Sequence, residues 1–280
     1  MPASEIRKRY GLIAGSGRFP LLALEAARGL GHEIVAVGIK EETSVEIEAL
    51  AYKCHWISIG QLSRLVEILK QEQIREVMMA GQVKHASIFS SIRPDWRLLK
   101  LLTGLKEKNT DALIGGVMRV LEEEGIRLVD STALLKPLLA GAGVLTRRRP
   151  SANEEKDASY GRRIANALSG MDVGQSVAIA ERACVAIEAM EGTDAMLRRA
   201  AGLANGKPLT LVKGSRRRKH LLFDVPVAGC ATITVMRETG ATLLAVDAGR
   251  TLLLDKAEMI AQADQAGISI VGYAPEEESA

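Results

Sequence analysis

The chain has 280 residues, a formal net charge of +3, 47% hydrophobic residues, 25% charged residues and 3% aromatics. At about 150 residues per domain, this length predicts two domains. The composition excludes a disordered chain, a surface that holds nucleic acid through a general positive field and a platform of stacked rings for single strands.

In chain order, Tyr10–Ala14 reads as a buried strand and Pro20–Leu30 as a helix, with Leu21, Leu24, Ala27 and Leu30 at helical spacing. Glu33–Ile39 and His55–Ile59 read as strands, Leu62–Lys70 as an amphipathic helix and Glu76–Ala80 as the fourth strand. Helical patterns follow at Trp96–Leu105 and Asp111–Glu124, then a short strand at Arg127–Val129. This β-α-β alternation implies a Rossmann-like, mostly parallel sheet with right-handed crossovers. Gly141–Pro150 combines glycine, charge and proline, which places the domain division at Arg149. The domains expected are therefore 1–149 and 150–280.

The second part opens with a helix at Glu154–Leu168. Strands are expected at Ser176–Ala180 and Ala183–Ala189, with Glu181-Arg182 at the turn. A helix spans Ala195–Leu203, and short strands are expected at Leu209–Val212, Leu221–Phe223, Leu243–Val246 and Thr251–Leu254. A helix at Ala257–Ala266 and a strand at Ile268–Gly272 complete an α/β domain with a mixed sheet.

No apolar run reaches the roughly 18 residues of a spanning helix. The apolar stretch behind Arg7, Lys8 and Arg9 is too short for a secretion-signal core. Cys54, Cys184 and Cys230 are odd in number and far apart, which fits inert thiols in a reducing cytoplasm. The four histidines lack metal-ligand spacing, and neither a G-x-S-x-G elbow nor a P-loop is present.

Four groups of residues could carry chemistry. Gly15-Ser16-Gly17-Arg18-Phe19-Pro20 follows the first strand and opens a helix, where glycines allow close approach and free N–H groups attract an anion. The third glycine of a dinucleotide fingerprint is absent. Gly60-Gln61 and Gly81-Gln82 follow strands three and four, on the same carboxyl-end rim. Asp111, and Glu191 to Asp194, are carboxylates or hydroxyls at helix starts that either cap or bind. Asp224 ends the apolar run Leu221-Leu222-Phe223 and precedes Val225-Pro226, a position that capping does not explain. Lys213-Gly214-Ser215-Arg216-Arg217-Arg218-Lys219-His220 is a basic stretch suited to phosphate or to an anionic membrane surface.

Taken together in order, several blocks resemble the bacterial UDP-2,3-diacylglucosamine pyrophosphatases of the LpxI type. They are Gly11–Pro20, Ala80–Val83, Asp111–Leu113, Gly143–Thr146, Asp172–Gln175, Glu188–Arg199 and Phe223–Pro226. Glu188–Arg199, reading E-A-M-E-G-T-D-A-M-L-R-R, is the most specific of them. The resemblance implies a two-domain enzyme of lipid A biosynthesis that uses Mg²⁺, with its site in the cleft between the domains. It would direct water at the α-phosphorus of a UDP-sugar and release UMP and 2,3-diacylglucosamine 1-phosphate. Asp224 stands where the family has its essential aspartate, and Ser16 where many relatives have glycine.

Asp224 is thus expected to be catalytic and, with Asp194, to hold Mg²⁺; Glu191 is a further helper. Gly15, Ser16, Gly17, Arg18, Phe19, Gln61, Gly81, Gln82, Asp111, Gln175, Thr193, Asp194 and Lys213 are expected to hold the substrate. The expected partners are a lipid-linked UDP-sugar and the inner face of the inner membrane, approached peripherally through Arg216–Lys219. A homodimer is left open, and nucleic acid is not a partner. The rival readings are a Rossmann-type oxidoreductase and a non-catalytic nucleotide-sugar binder.

Overall fold

The structure is a computed structural model that describes residues 8–83, 93–105, 110–169, 171, 173–215 and 225–275, the side chains of Thr110, Asp111 and Ser169 excepted. The chain forms two compact units, Met1–Leu135 and Lys136–Ala280. Gly141–Pro150, where composition placed the division, therefore lies inside the second unit. Gly143-Val144 pairs there with Val271-Gly272, and the Arg148 guanidinium bonds to Glu154 and Ser269.

The first unit is a five-stranded sheet in the order β3-β2-β1-β4-β5. Its strands are β1 (Arg9–Ala14), β2 (Glu33–Ile39), β3 (Lys53–Ile57), β4 (Glu76–Ala80) and β5 (Arg127–Leu128). Every pairing is parallel. The near-continuous apolar runs fit such a sheet, because crossover helices bury its strands. Leu12, Val35, Ala36, Val37 and Val77 are essentially inaccessible.

The crossovers include α1 (Phe19–Gly29), α2 (Ile47–Leu50) and α3 (Leu62–Gln71). The α3 helix buries Leu62, Leu65, Val66, Ile68 and Leu69. Two more helices, α4 (Trp96–Gly104) and α5 (Thr110–Glu123), lie between β4 and β5 in the chain. Leu30 lies past the end of α1 and is exposed, so it does not extend that helix's apolar face.

The second unit is a six-stranded mixed sheet in the order β6-β13-β11-β9-β7-β8. The strands are β6 (Gly143–Val144), β7 (Ser176–Ala180), β8 (Ala183–Ile187), β9 (Leu209–Lys213), β11 (Ala241–Asp247) and β13 (Ser269–Tyr273). A separate parallel pair, β10 (Val227–Ala228) with β12 (Leu252–Leu253), lies beside it in the chain order. Residues alternate between two buried faces. Leu209, Leu211, Leu244 and Val246 meet α7 (Thr193–Leu203), α8 (Cys230–Thr239) and α9 (Lys256–Gln265). Val177, Ile179, Val212, Leu243 and Ala245 meet α6 (Ala152–Ser169). The approach of α6 is close: a Cβ on Gly161 would come within 2.6 Å of Val212 Cγ2.

Three local devices explain the element ends. Ser151 and Glu154 form a reciprocal cap at the start of α6, with the Ser151 N–H donating to Glu154 Oε2 (2.6 Å) and the Glu154 N–H to Ser151 Oγ (3.3 Å). Glu181 and Arg182, at φ 49° and 62°, make the tight turn of the β7-β8 hairpin. Asp95 caps two helices at once, accepting from the N–H of Ser63 (2.6 Å) in α3 and of Leu98 (3.0 Å) in α4. Among the described residues, no helix is long and apolar enough to cross a membrane.

Candidate functional site

The switch point of the first sheet lies between β1 and β4, where ligands of open α/β sheets bind beyond the strand ends. The turns after these two strands are joined to each other. Gly15 N–H donates to Ala80 O (2.8 Å), Ser16 N–H to Gln82 O (2.7 Å) and Gln82 N–H to Ser16 O (3.2 Å). The Ser16 hydroxyl also donates to Gln82 O (2.8 Å).

Two glycines serve this closure. A Cβ on Gly15 would lie 2.5 Å from Gln82 O, and one on Gly81 would lie 2.5 Å from Ser16 O, with Gly81 at φ +90°. Gly17 differs: at φ +91° it faces open space. It precedes α1, whose start has no side-chain cap and carries Pro20 in its first turn. Of the glycine turn, Gly17 to Phe19 is therefore the part left for an anion, with orphan backbone donors at the helix start.

The other expected residues of this unit are spread along the rim. Arg18 is exposed and pairs with Glu25 at 3.2 Å. The side-chain oxygen of Gln61 accepts from the Ser58 N–H (2.9 Å) within its own turn. Thr43, which the sequence did not single out, braces the rim. Its buried hydroxyl donates to Ala14 O (2.5 Å) and accepts from the Ile39 N–H (2.9 Å). The side chain of Asp111 lies outside the described residues.

In the second unit, the carboxyl ends of β9 and β11 and the start of β7 gather polar side chains at one edge of the sheet. Lys213 donates to Thr193 Oγ1 (2.8 Å) and, more weakly, to Ser176 Oγ (3.4 Å). Thr193 Oγ1 lies 3.2 Å from Ser176 Oγ and donates to Glu188 Oε1 (2.9 Å). Glu188 Oε2 is buried with no partner among the described residues. Gln175 is tied in by its carbonyl, which accepts from the Gly214 N–H (2.9 Å).

Beside this cluster in the chain, Asp247 Oδ2 accepts from both the N–H (2.8 Å) and the hydroxyl (2.7 Å) of Ser215. Its other oxygen lies 3.6 Å from the Arg162 guanidinium, which stacks over Tyr273 at 5.0 Å. Burial raises the Tyr273 hydroxyl pKa, and its bond to Glu155 adds to that.

The structure thus brings Lys213 and Thr193 into contact and sets Gln175 next to them. No bond among the described residues joins Asp194 to them, and Glu191 pairs instead with Arg199 at 2.5 Å. That hydrogen bond lowers the Glu191 pKa. Asp224 and Arg216–Lys219 lie outside the described residues. Among the described residues, no three His, Cys, Asp or Glu side chains gather into a metal cage. The three cysteines are free, and burial raises each thiol, Cys54 to about 11.

Sequence reasoning missed Ser176, Glu188, Asp247 and Arg162. Asp247 had a signal, since it closes the apolar run Leu243–Val246 in the sequence just as Asp224 follows Leu221–Phe223.

Residues 9–138 match the model of the LpxI N-terminal domain, and residues 141–271 match the LpxI C-terminal domain. Both domains of the LpxI family are present, in order. A protein of Caulobacter vibrioides named UDP-2,3-diacylglucosamine pyrophosphatase LpxI is 29% identical over 280 residues, covering 96% of this chain and 99% of its own.

Solved structures resemble the fold only faintly. An ADP complex of N5-carboxyaminoimidazole ribonucleotide synthetase is 15% identical at a TM-score of 0.28, covering 62% of this chain and 32% of its own. Biotin carboxylase from Campylobacter jejuni is 13% identical at 0.28, covering 73% of this chain and 43% of its own. The chain thus spans less than half the length of either, and likenesses this weak carry no argument about chemistry.

Proposed function

We propose that this chain hydrolyses the pyrophosphate bond of UDP-2,3-diacylglucosamine, with Mg²⁺, to UMP and 2,3-diacylglucosamine 1-phosphate. The observation that carries the reading is the end-to-end match to both LpxI domains and to a relative of that name. The polar edge of the second unit supports it. Lys213 supplies a cation at strand ends, and the helix start at Gly17–Phe19 supplies backbone donors, both suited to a phosphate.

In the proposed step, the oxygen of a water bonds to the α-phosphorus. The bond from that phosphorus to the bridging oxygen breaks. The bridging oxygen leaves on the β-phosphate as the sugar 1-phosphate, and Asp224 accepts the water's proton. Asp224 and Asp194 would hold Mg²⁺, an ion that is commonly bound by one or two carboxylates together with phosphate oxygens. It would neutralise charge on the diphosphate.

The test is UMP release from the purified protein with this substrate and Mg²⁺. Asp224→Ala is expected to lower kcat by about a hundredfold or more, and ¹⁸O from solvent water is expected in UMP. Label on the lipid phosphate, or full activity of the variant, overturns the step. Tight NAD(P)H binding without UMP release overturns the reading itself. Because the substrate is a lipid, the basic stretch Arg216–Lys219 is proposed to dock on anionic membrane. Replacing Arg216, Arg217 and Arg218 by glutamate should then weaken binding to anionic liposomes.

A further inference from the structure

The Lys213 cluster has a direction that follows from its chemistry. An ammonium only donates hydrogen bonds and a carboxylate only accepts them. The single proton of Thr193 therefore goes to Glu188. Its oxygen accepts from Lys213, and Ser176 must donate to it as well. Thr193 is saturated by its protein neighbours. Lys213 is not: its bonds to Thr193 and Ser176 leave at least one N–H without a partner among the described residues.

Glu188 is held in turn. Its main-chain N–H donates to Ser176 O (2.9 Å), which fixes the end of β8 against the start of β7. Its Oε1 takes the Thr193 proton, while Oε2 is buried without a partner among the described residues. A carboxylate oxygen removed from water in this way is costly unless charge nearby offsets it, and the Lys213 ammonium lies one hydroxyl away.

We propose that Glu188 is a positioning residue which, through the Thr193 hydroxyl, fixes where the Lys213 ammonium sits and keeps one of its protons free for a phosphate group. The role rests on the pyrophosphatase reading for its substrate, but the arrangement itself requires only an anionic phosphate ligand. It also has an electrostatic signature. The Glu188 charge opposes an incoming anion, whereas its acceptor oxygen orients the cation. Geometry and charge therefore act in opposite directions.

The experiment is calorimetric binding of UDP and of inorganic pyrophosphate to the full chain, with thermal unfolding of each variant as a folding control. Thr193→Val and Glu188→Ala are each expected to weaken binding by about tenfold, and the double variant no further, because both break one relay. Thr193→Ser, which keeps the hydroxyl, should bind within about twofold of the parent. Glu188→Gln, which keeps the acceptor oxygen and loses the charge, should bind as tightly as the parent or more so. In the Lys213→Met background, Thr193→Val should have no effect.

Multiplicative losses in the double variant overturn the inference. So does a Glu188→Gln protein as weak as Glu188→Ala, a Thr193→Ser protein as weak as Thr193→Val, or a parent that binds neither ligand. Failure of the pyrophosphatase reading would appear separately, as an intact binding series in a protein that releases no UMP.

Discussion

At the carboxyl end of the first unit's sheet, backbone holds backbone: the turns after β1 and β4 exchange main-chain hydrogen bonds, and two glycines let them come close. At the same end of β9 and β11 in the second unit, charged and hydroxyl side chains hold one another, from Lys213 through Thr193 to Glu188 and from Ser215 through Asp247 to Arg162. The first rim is specified by glycines and main-chain bonds, with the Ser16 and Thr43 hydroxyls as braces, and the second by charged side chains. A backbone rim gives a rigid edge with few chemical options. A side-chain rim can place charge, and its parts are individually replaceable.

The contrast predicts different losses. The largest stability effect is expected on the second rim from Asp247→Ala. It leaves the Arg162 guanidinium without its carboxylate and the Ser215 N–H unpaired in a buried place, at a cost of about 3 kcal/mol. Denaturant unfolding measures this, and an unchanged midpoint would show that the pair is not part of the scaffold. Ser215 leads directly into the segment that carries Asp224, so the proposed release of UMP should fall as well.

Next comes Gly81→Ala on the first rim. The new methyl would sit at positive φ against the Ser16 carbonyl, costing about 2 kcal/mol. Gly17→Ala shares the φ but meets open space, so about 1 kcal/mol is expected. Equal costs at the two positions would erase the distinction between a glycine needed for packing and one needed only for backbone conformation.

A smaller, pH-dependent effect belongs to Glu154, away from both rims. Burial pushes its pKa up, but bonds from the Thr242 hydroxyl, the Ser151 N–H, the Arg148 guanidinium and the Ser151 hydroxyl outweigh burial and lower it. A folded-state pKa below the unfolded value stabilises the protein above the ordinary glutamate range and is lost as pH falls through the folded value. Urea midpoints should therefore drop below about pH 4.3, and Glu154→Gln should flatten that drop. The smallest effect is expected from Lys207→Ala, whose pair with Glu181 is exposed on both sides; under about 0.5 kcal/mol should be lost.

Much of the fold was legible because parallel strands between helices leave near-continuous apolar runs. The bounds of β2, β4 and β7 follow directly from residues 33–39, 76–80 and 176–180. The helix α8 was not legible. Its sequence C-A-T-I-T-V-M-R-E-T is rich in β-branched residues that disfavour helix locally. Burial of Ile233, Val235 and Met236, with Gly240 at φ 70° ending the helix, overrides that preference. The strand β3 lies earlier than the run His55–Ile59 suggested, because Lys53 pairs with Val35 and Ile57 with Ile39.

For the site, the sequence places the glycine turns after strands one and four on one rim, and the Ser16–Gln82 bridge bears that out; the individual hydrogen bonds that join them were not legible. Likewise Ser176, Glu188, Thr193 and Lys213 come from four elements or their flanks. No spacing rule joins them; the antiparallel registers of β7 with β9 and with β8 do.

The position of β13 bears on how the molecule is made. It is the last strand among the described residues, yet it lies inside its sheet, between β6 and β11. On the ribosome, the first unit has all five of its strands once β5 has emerged. The second must wait with the flank of β11 uncovered until Ser269–Tyr273 is synthesised, so nascent chains arrested before that segment should expose this flank to chaperones and proteases.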